Sequence, residues 1–202
     1  MSEPPISQMP TRPAARKFQP ELLLRAQPVE LVIFDVDGVM TDGGIYLAET
    51  QADDPRVVDE LFKRFNTLDG LGLQLLKHVG IVPAVISGRN SKPLQQRLAK
   101  LGVDHCYLGQ DKKIDAARHL MACLGLQWSQ VATMGDDWPD LPLLCQSALA
   151  VAPPGAHLEV LQVAHFITQA AAGHGAVREM CDLLVCAKGK YQNLLSEWTS
   201  GL

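Results

Sequence analysis

Short apolar runs alternate along the chain with longer stretches in which apolar residues return at helical spacing. The runs are "LVIF" (31–34), "VPAVIS" (82–87), "HCYLG" (105–109), "VATMG" (131–135) and "ALAVA" (148–152). They predict strands, and their nearly continuous apolar character predicts burial on both faces. Between and after them lie "TLDGLGLQLLKHVG" (67–80), "SKPLQQRLAKLG" (91–102), "DKKIDAARHLMACLG" (111–125) and "GAVREMCDLLVCAKGKYQNLLSEW" (175–198), each of which predicts a helix. Several end in Gly, Ser91 and Asp111 stand where N-caps are expected, and Pro93 falls just inside its helix. The alternation predicts an α/β fold in which a parallel sheet carries helices on both faces.

Two segments break the rhythm. Residues 1 to about 20 hold several prolines and little periodicity, which predicts a loose leader, and "PELLLRAQ" (20–27) predicts a short helix after it. Residues 43–66 read as two strands around a polar loop, a β-hairpin inserted after the first strand and too small to be a cap domain. The expected organisation is a leader with a short helix over 1–28, one domain over 29–190 and a C-terminal tail over 191–202.

Composition narrows the class. The chain has 202 residues, 47% of them hydrophobic and 20% charged, which suits one domain with a good core. A net charge of -4 gives no basic face for DNA or RNA. No run is long enough to span a membrane, so neither nucleic acid nor membrane is expected as a partner. The five cysteines show no zinc spacing and predict reduced, mostly buried thiols; the start has no apolar signal core, and the expected compartment is the cytoplasm.

The chemistry gathers where strands end. Asp35 and Asp37 follow the first strand; Ser87, Gly88 and Arg89 follow the second; Lys112 and Lys113 follow the third; Asp136, Asp137 and Asp140 follow the fourth. In open parallel sheets ligands bind outside the carboxyl ends of the strands. Carboxylates, a hydroxyl and an ammonium on one edge suit phosphoryl transfer, which needs a nucleophile, a metal ion and positive charge around the transferred oxygens. A hard cation such as Mg²⁺ would relieve the repulsion among the acidic groups and an anionic substrate, with one carboxylate attacking and the other handling the proton. Taken singly each motif has a plainer reading: "DVDG" as a turn, "SGR" as a loop, the lysines as solvated charge. Their combination in this order favours the site.

In that order "DVDGVMTDG", "ISGR", Lys113 in "GQDKK" and "GDDWPD" resemble the motifs of the haloacid dehalogenase superfamily. With "FNTLDGLG" and "GHGAVREMCDLLV" the chain is similar, over about residues 29–190, to the 3-deoxy-D-manno-octulosonate 8-phosphate phosphatase family. The resemblance implies a capless Rossmann-like subunit, Mg²⁺ dependence, a sugar-acid phosphate as substrate and a homotetramer whose inserted hairpins associate. It implies Asp35 as nucleophile and metal ligand, Asp37 as acid and base whose main-chain carbonyl also binds metal, and Asp136 as the remaining protein ligand. Ser87 and Lys113 would hold the phosphate, with Asp137 and Asp140 behind them, Asp140 steadying Lys113 or the metal. Asn66, Thr67, Leu68, Asp69, Gly70, Arg89 and Arg97 would face the sugar acid, and Arg178 would reach a neighbouring site. The family pattern carries basic residues where this chain has Leu68 and Gln74, and an arginine where it has His174. The losses at 68 and 74 remove positive charge near the expected substrate carboxylate. A phosphatase for a related sugar acid, as in the domain attached to acylneuraminate cytidylyltransferases, a receiver-like module and a scaffold without turnover stand as alternatives.

Overall fold

In the computed structural model, which describes residues 18–46 and 62–200, every apolar run expected as a strand is one. They are β1 (Leu31–Phe34), β2 (Val82–Ser87), β3 (His105–Leu108), β4 (Val131–Met134) and β5 (Leu149–Ala152), joined at the edge by the two-residue β6 (Phe166–Ile167). All pairings are parallel, in the order β3-β2-β1-β4-β5-β6. The chain builds outward from β1 to β3 and then resumes on the other side of β1 with β4. The carboxyl ends of β1 and β4 therefore flank a topological switch point, where open α/β sheets bind ligands.

Alternation along β1 feeds a core on each face of the sheet. Val32 and Phe34 face α2 (Thr67–His78), α3 (Lys92–Leu101) and α7 (Ala176–Ala187), meeting Leu73, Leu76, Leu98, Val177 and Leu184. Leu31 and Ile33 face the other way, toward Ala117 and Leu120 of α4 (Lys113–Leu124) and Leu143 of α5 (Leu141–Leu144). Cover on both sides is why the strands are apolar throughout rather than alternating. Each fully buried Leu or Ile contributes about 1.5–3 kcal/mol. Phe18, at the end of the expected leader, is buried with its ring edge-on to Phe166, and α1 (Pro20–Ala26) forms where expected.

Several expectations need correction. The helix over 175–198 is two, α7 and α8 (Tyr191–Ser200). Gly189, at φ +67°, breaks it in a left-handed turn that a residue with a Cβ adopts only at a cost. Asp111 is not an N-cap, since α4 starts at Lys113 with Lys112 in that position, and Ser91 holds its N-cap position without a capping bond from its side chain. Cys123 and Cys145 are exposed and Cys106 half-buried, so only Cys181 and Cys186 fit the expectation of buried thiols; none of the five forms a disulfide. The body of the expected hairpin, 47–61, lies outside the described residues, as do 1–17 of the leader. Its flanks, 43–46 and 62–66, are irregular, with Tyr46 stacked on Phe62. The short α5, α6 (Leu158–Val163) and β6 show too little period to be read from sequence. Among the described residues no helix is long and apolar enough to cross a membrane.

Candidate active site

β1 ends at Asp35, whose main-chain N–H donates to the carbonyl of Met134 on β4, so the two strands deliver their following loops side by side. Asp35 is 7% exposed. Lys113, the first residue of α4 and also buried, donates from Nζ to Asp35 Oδ1 and to Asp140 Oδ1, both at 2.7 Å. The other oxygen of Asp140 accepts from the N–H of Asp136 at 3.1 Å and of Asp137 at 3.5 Å. Asp140 thus steadies both the lysine and the turn that carries Asp136. Asp137 caps the same turn by accepting the N–H of Trp138 at 2.8 Å.

Gly38 explains why the first loop needs its glycine. Its φ is +83°, and a Cβ there would lie 2.0 Å from Asp136 Oδ2. The β1 and β4 loops touch at this point, and no side chain fits between them. Ser87, buried at the end of β2, accepts the Arg89 N–H at Oγ (3.2 Å). Asp37 is half-buried, with Oδ1 2.5 Å from Lys63 Nζ and Oδ2 3.6 Å from Arg89 Nε. Together Asp35, Asp37, Ser87, Arg89, Lys113, Asp136, Asp137 and Asp140 line a pocket of about 400 Å³.

The electrostatics suit the binding of a cation. Burial, then the charge of Asp140, pushes Asp35 up to about 6 against the pull of Lys113. Burial, then the charges of Asp35 and Asp140, pushes Asp136 up to about 8. Burial alone would lower Lys113, but the two carboxylates it bridges raise it. Ligand oxygens of Asp35, Asp136 and Asp140 lie within 4.8 Å of one another. Asp140 already serves Lys113 and two main-chain N–H groups, which leaves Asp35 and Asp136 as the available donors. An all-oxygen set with excess negative charge fits a hard divalent cation such as Mg²⁺.

The remaining expected residues lie off this pocket. Asn66 caps α2, accepting the Leu68 N–H at 2.9 Å, and Thr67 and Leu68 are exposed, Leu68 at 53%. Asp69 is buried and accepts the Arg178 N–H at 2.8 Å, tying α2 to the start of α7. Gly70 makes room for Arg97, whose Nη2 donates to the Asn66 carbonyl at 3.3 Å and whose guanidinium lies over Phe65. Arg178 pairs with Asp182 at 2.7 Å and lines a separate, apolar pocket with Leu71, Tyr191 and Trp198. Sequence reasoning missed Lys63 and Thr41, both at Asp37 Oδ1. Lys63 lies 26 residues from Asp37, and no local pattern links them.

The haloacid dehalogenase-like hydrolase family model matches residues 107–180. The 3-deoxy-D-manno-octulosonate 8-phosphate phosphatase of Yersinia pestis is 41% identical over 85% of this chain and 88% of its own length. A crystal structure of that Yersinia pestis phosphatase aligns with TM-score 0.78 at 42% identity, covering 86% of this chain and 89% of that one. The phosphatase of the same name from Moraxella catarrhalis, in complex with magnesium, phosphate and KDO, aligns with TM-score 0.81 at 34% identity, covering 90% of this chain and 99% of that one.

Proposed function

The chain belongs to the 3-deoxy-D-manno-octulosonate 8-phosphate phosphatase family of haloacid dehalogenase-like hydrolases, and from that premise we infer a Mg²⁺-dependent phosphatase that hydrolyses 3-deoxy-D-manno-octulosonate 8-phosphate to the free sugar acid and phosphate. The observation that carries the chemistry is Lys113 bridging Asp35 and Asp140 beside Asp136. It sets a carboxylate nucleophile and a fixed cation on one pocket.

Asp35, Asp136 and the main-chain carbonyl of Asp37 would hold Mg²⁺, which offsets the negative charge of phosphate and carboxylates. An oxygen of Asp35 attacks phosphorus, and the bond from phosphorus to the sugar oxygen breaks. Asp37 gives its proton to the departing alkoxide. Water then attacks the aspartyl-phosphate and loses a proton to Asp37, and the bond to Asp35 breaks, releasing phosphate. Ser87 and Lys113 hold the phosphate oxygens through both steps. Arg89, 51% exposed at the mouth, meets the sugar acid. Asn66 to Gly70, Arg97 and Arg178 lie off this chain's own pocket, and their substrate role belongs to the assembled enzyme. For that assembly we propose the homotetramer, supported by the exposed Ile45, Tyr46 and Phe62 at the base of the inserted segment. The five thiols, none of them in a disulfide, support a cytoplasmic location.

Single turnover in oxygen-18 water tests the covalent route. Label should enter the Asp35 carboxylate, and Asp35→Asn should fold with activity down by at least about 10³-fold. Phosphate release with no label ever reaching Asp35 would exclude the aspartyl-phosphate.

A further inference from the structure

Residues 62–66 lead into Asn66, the N-cap of α2, and they are fixed on both sides of Lys63. Phe62 stacks on Tyr46 with ring centroids 4.5 Å apart. Arg64 Nη1 lies 3.5 Å from Asp42 Oδ2 and 3.4 Å from the Gly173 carbonyl. Clamped between these contacts, the Lys63 side chain has no exposed surface, and its Nζ donates to Asp37 Oδ1 at 2.5 Å. Thr41 Oγ1 lies 3.3 Å from the same oxygen. Asp37 Oδ2 is buried and has no hydrogen-bond partner among the described residues; Arg89 Nε, on a half-exposed side chain, is 3.6 Å away. The two oxygens of one carboxylate are therefore unlike: one accepts from Lys63 and lies beside Thr41, while the other, among the described residues, has only a nearby charge.

We propose that Lys63 is a positioning residue for the hydrolysis, holding Asp37 Oδ1 so that Oδ2 is the oxygen that carries the proton. The inference rests on the acid and base role given to Asp37 above. A buried ammonium is stabilised by ion pairing that offsets its desolvation, and one carboxylate it pairs with is Asp37, which must keep one orientation through two proton transfers. The proton moves from Asp37 to the alkoxide as the ester bond breaks, and returns to Asp37 from the water that attacks the aspartyl-phosphate. Because Lys63 comes from the inserted segment, that segment then acts on the chemical step.

The test compares kcat/KM for an alkyl phosphate that lacks a carboxylate with kcat/KM for an aryl phosphate, whose phenolate leaves without a proton. Neither substrate offers a sugar-acid group for Lys63 to bind. Lys63→Met and Lys63→Gln are measured with Mg²⁺ on the full chain, each first checked for folding by thermal unfolding; Lys63→Gln retains a donor and decides the matter if Lys63→Met does not fold. Lys63→Met should lower the alkyl-to-aryl ratio by about tenfold or more, and Lys63→Gln by less. In an Asp37→Asn background the same Lys63 change should alter the ratio by less than about twofold, since residues that act through one another are not additive. Equal losses on both substrates, or an undiminished further loss in the Asp37→Asn background, would overturn the proposal. If Asp37→Asn leaves the ratio unchanged, the acid role of Asp37 fails and this inference with it. If Asp37→Asn lowers the ratio and folded Lys63 variants do not, only the Lys63 proposal is lost.

Discussion

Asp35 and Asp136 show how a single residue can carry both function and cost. Burial first, and then the charge of Asp140 on Asp35 and of Asp35 and Asp140 on Asp136, pushes their carboxyls up to about 6 and about 8. Both values lie above those of an unfolded chain, so the folded state binds more protons between about pH 4 and pH 8. Folding stability without metal must then fall as pH rises through that window. The expected outcome is a Tm in EDTA that drops from pH 5 to pH 8 in the wild type, drops less in Asp136→Asn, and is largely restored by saturating Mg²⁺. Thermal unfolding at three pH values with and without Mg²⁺ checks this. An Asp136→Asn variant with the same slope as the wild type would remove Asp136 as the source. Asp140 has the same chemistry as Asp136 but a different use, because both of its oxygens are taken by Lys113 and two main-chain N–H groups.

At the scale of elements, the contact between α2 and α7 builds the core on one face of the sheet. A Cβ on Gly72 would come within 3.1 Å of Cys181 Sγ and 3.2 Å of the Arg178 main chain, so the two helices meet almost backbone to backbone. Asp69 closes the same contact by accepting the first-turn N–H of Arg178. Gly72→Leu should wedge the helices apart and cost about 1–3 kcal/mol, read as a lower midpoint in urea. A variant as stable as the wild type would show that α7 is free to shift. The break at Gly189 matters here too: it turns α8 back over Arg178, where a single straight helix would have carried Tyr191 and Trp198 away from it.

The whole molecule raises the question of what closes a pocket that the described residues leave open. Leu68, at 53% exposure, and the exposed Ile45, Tyr46 and Phe62 are apolar groups that a second copy would cover. Sedimentation at micromolar protein should give a single species of four chains of 22.0 kDa each. A fully active monomer would show that closure comes from within one chain.

How much of this was legible beforehand depended on the range of the interactions involved. Strand and helix runs repeat over a few residues, so β1 to β5, α2, α3 and α4 could be read directly, and with them the strand ends that carry Asp35, Ser87, Lys113 and Asp136. The break at Gly189 could not be told from an ordinary helical glycine, and two-residue β6 has no period at all. Nor did local pattern separate the residues that line the pocket from Asn66, Arg97 and Arg178, whose side chains turn to helix capping and pairing on α2, α3 and α7. The sequence by itself determined which chemical groups stand at the sheet's edge, because that follows from strand period and chain order. Only the tertiary structure decided their partners: Lys113 with two carboxylates 78 and 27 residues away, Lys63 with Asp37, Gly38 against Asp136. Those pairings depend on distances between loops of different strands, which chain packing sets and no local spacing encodes.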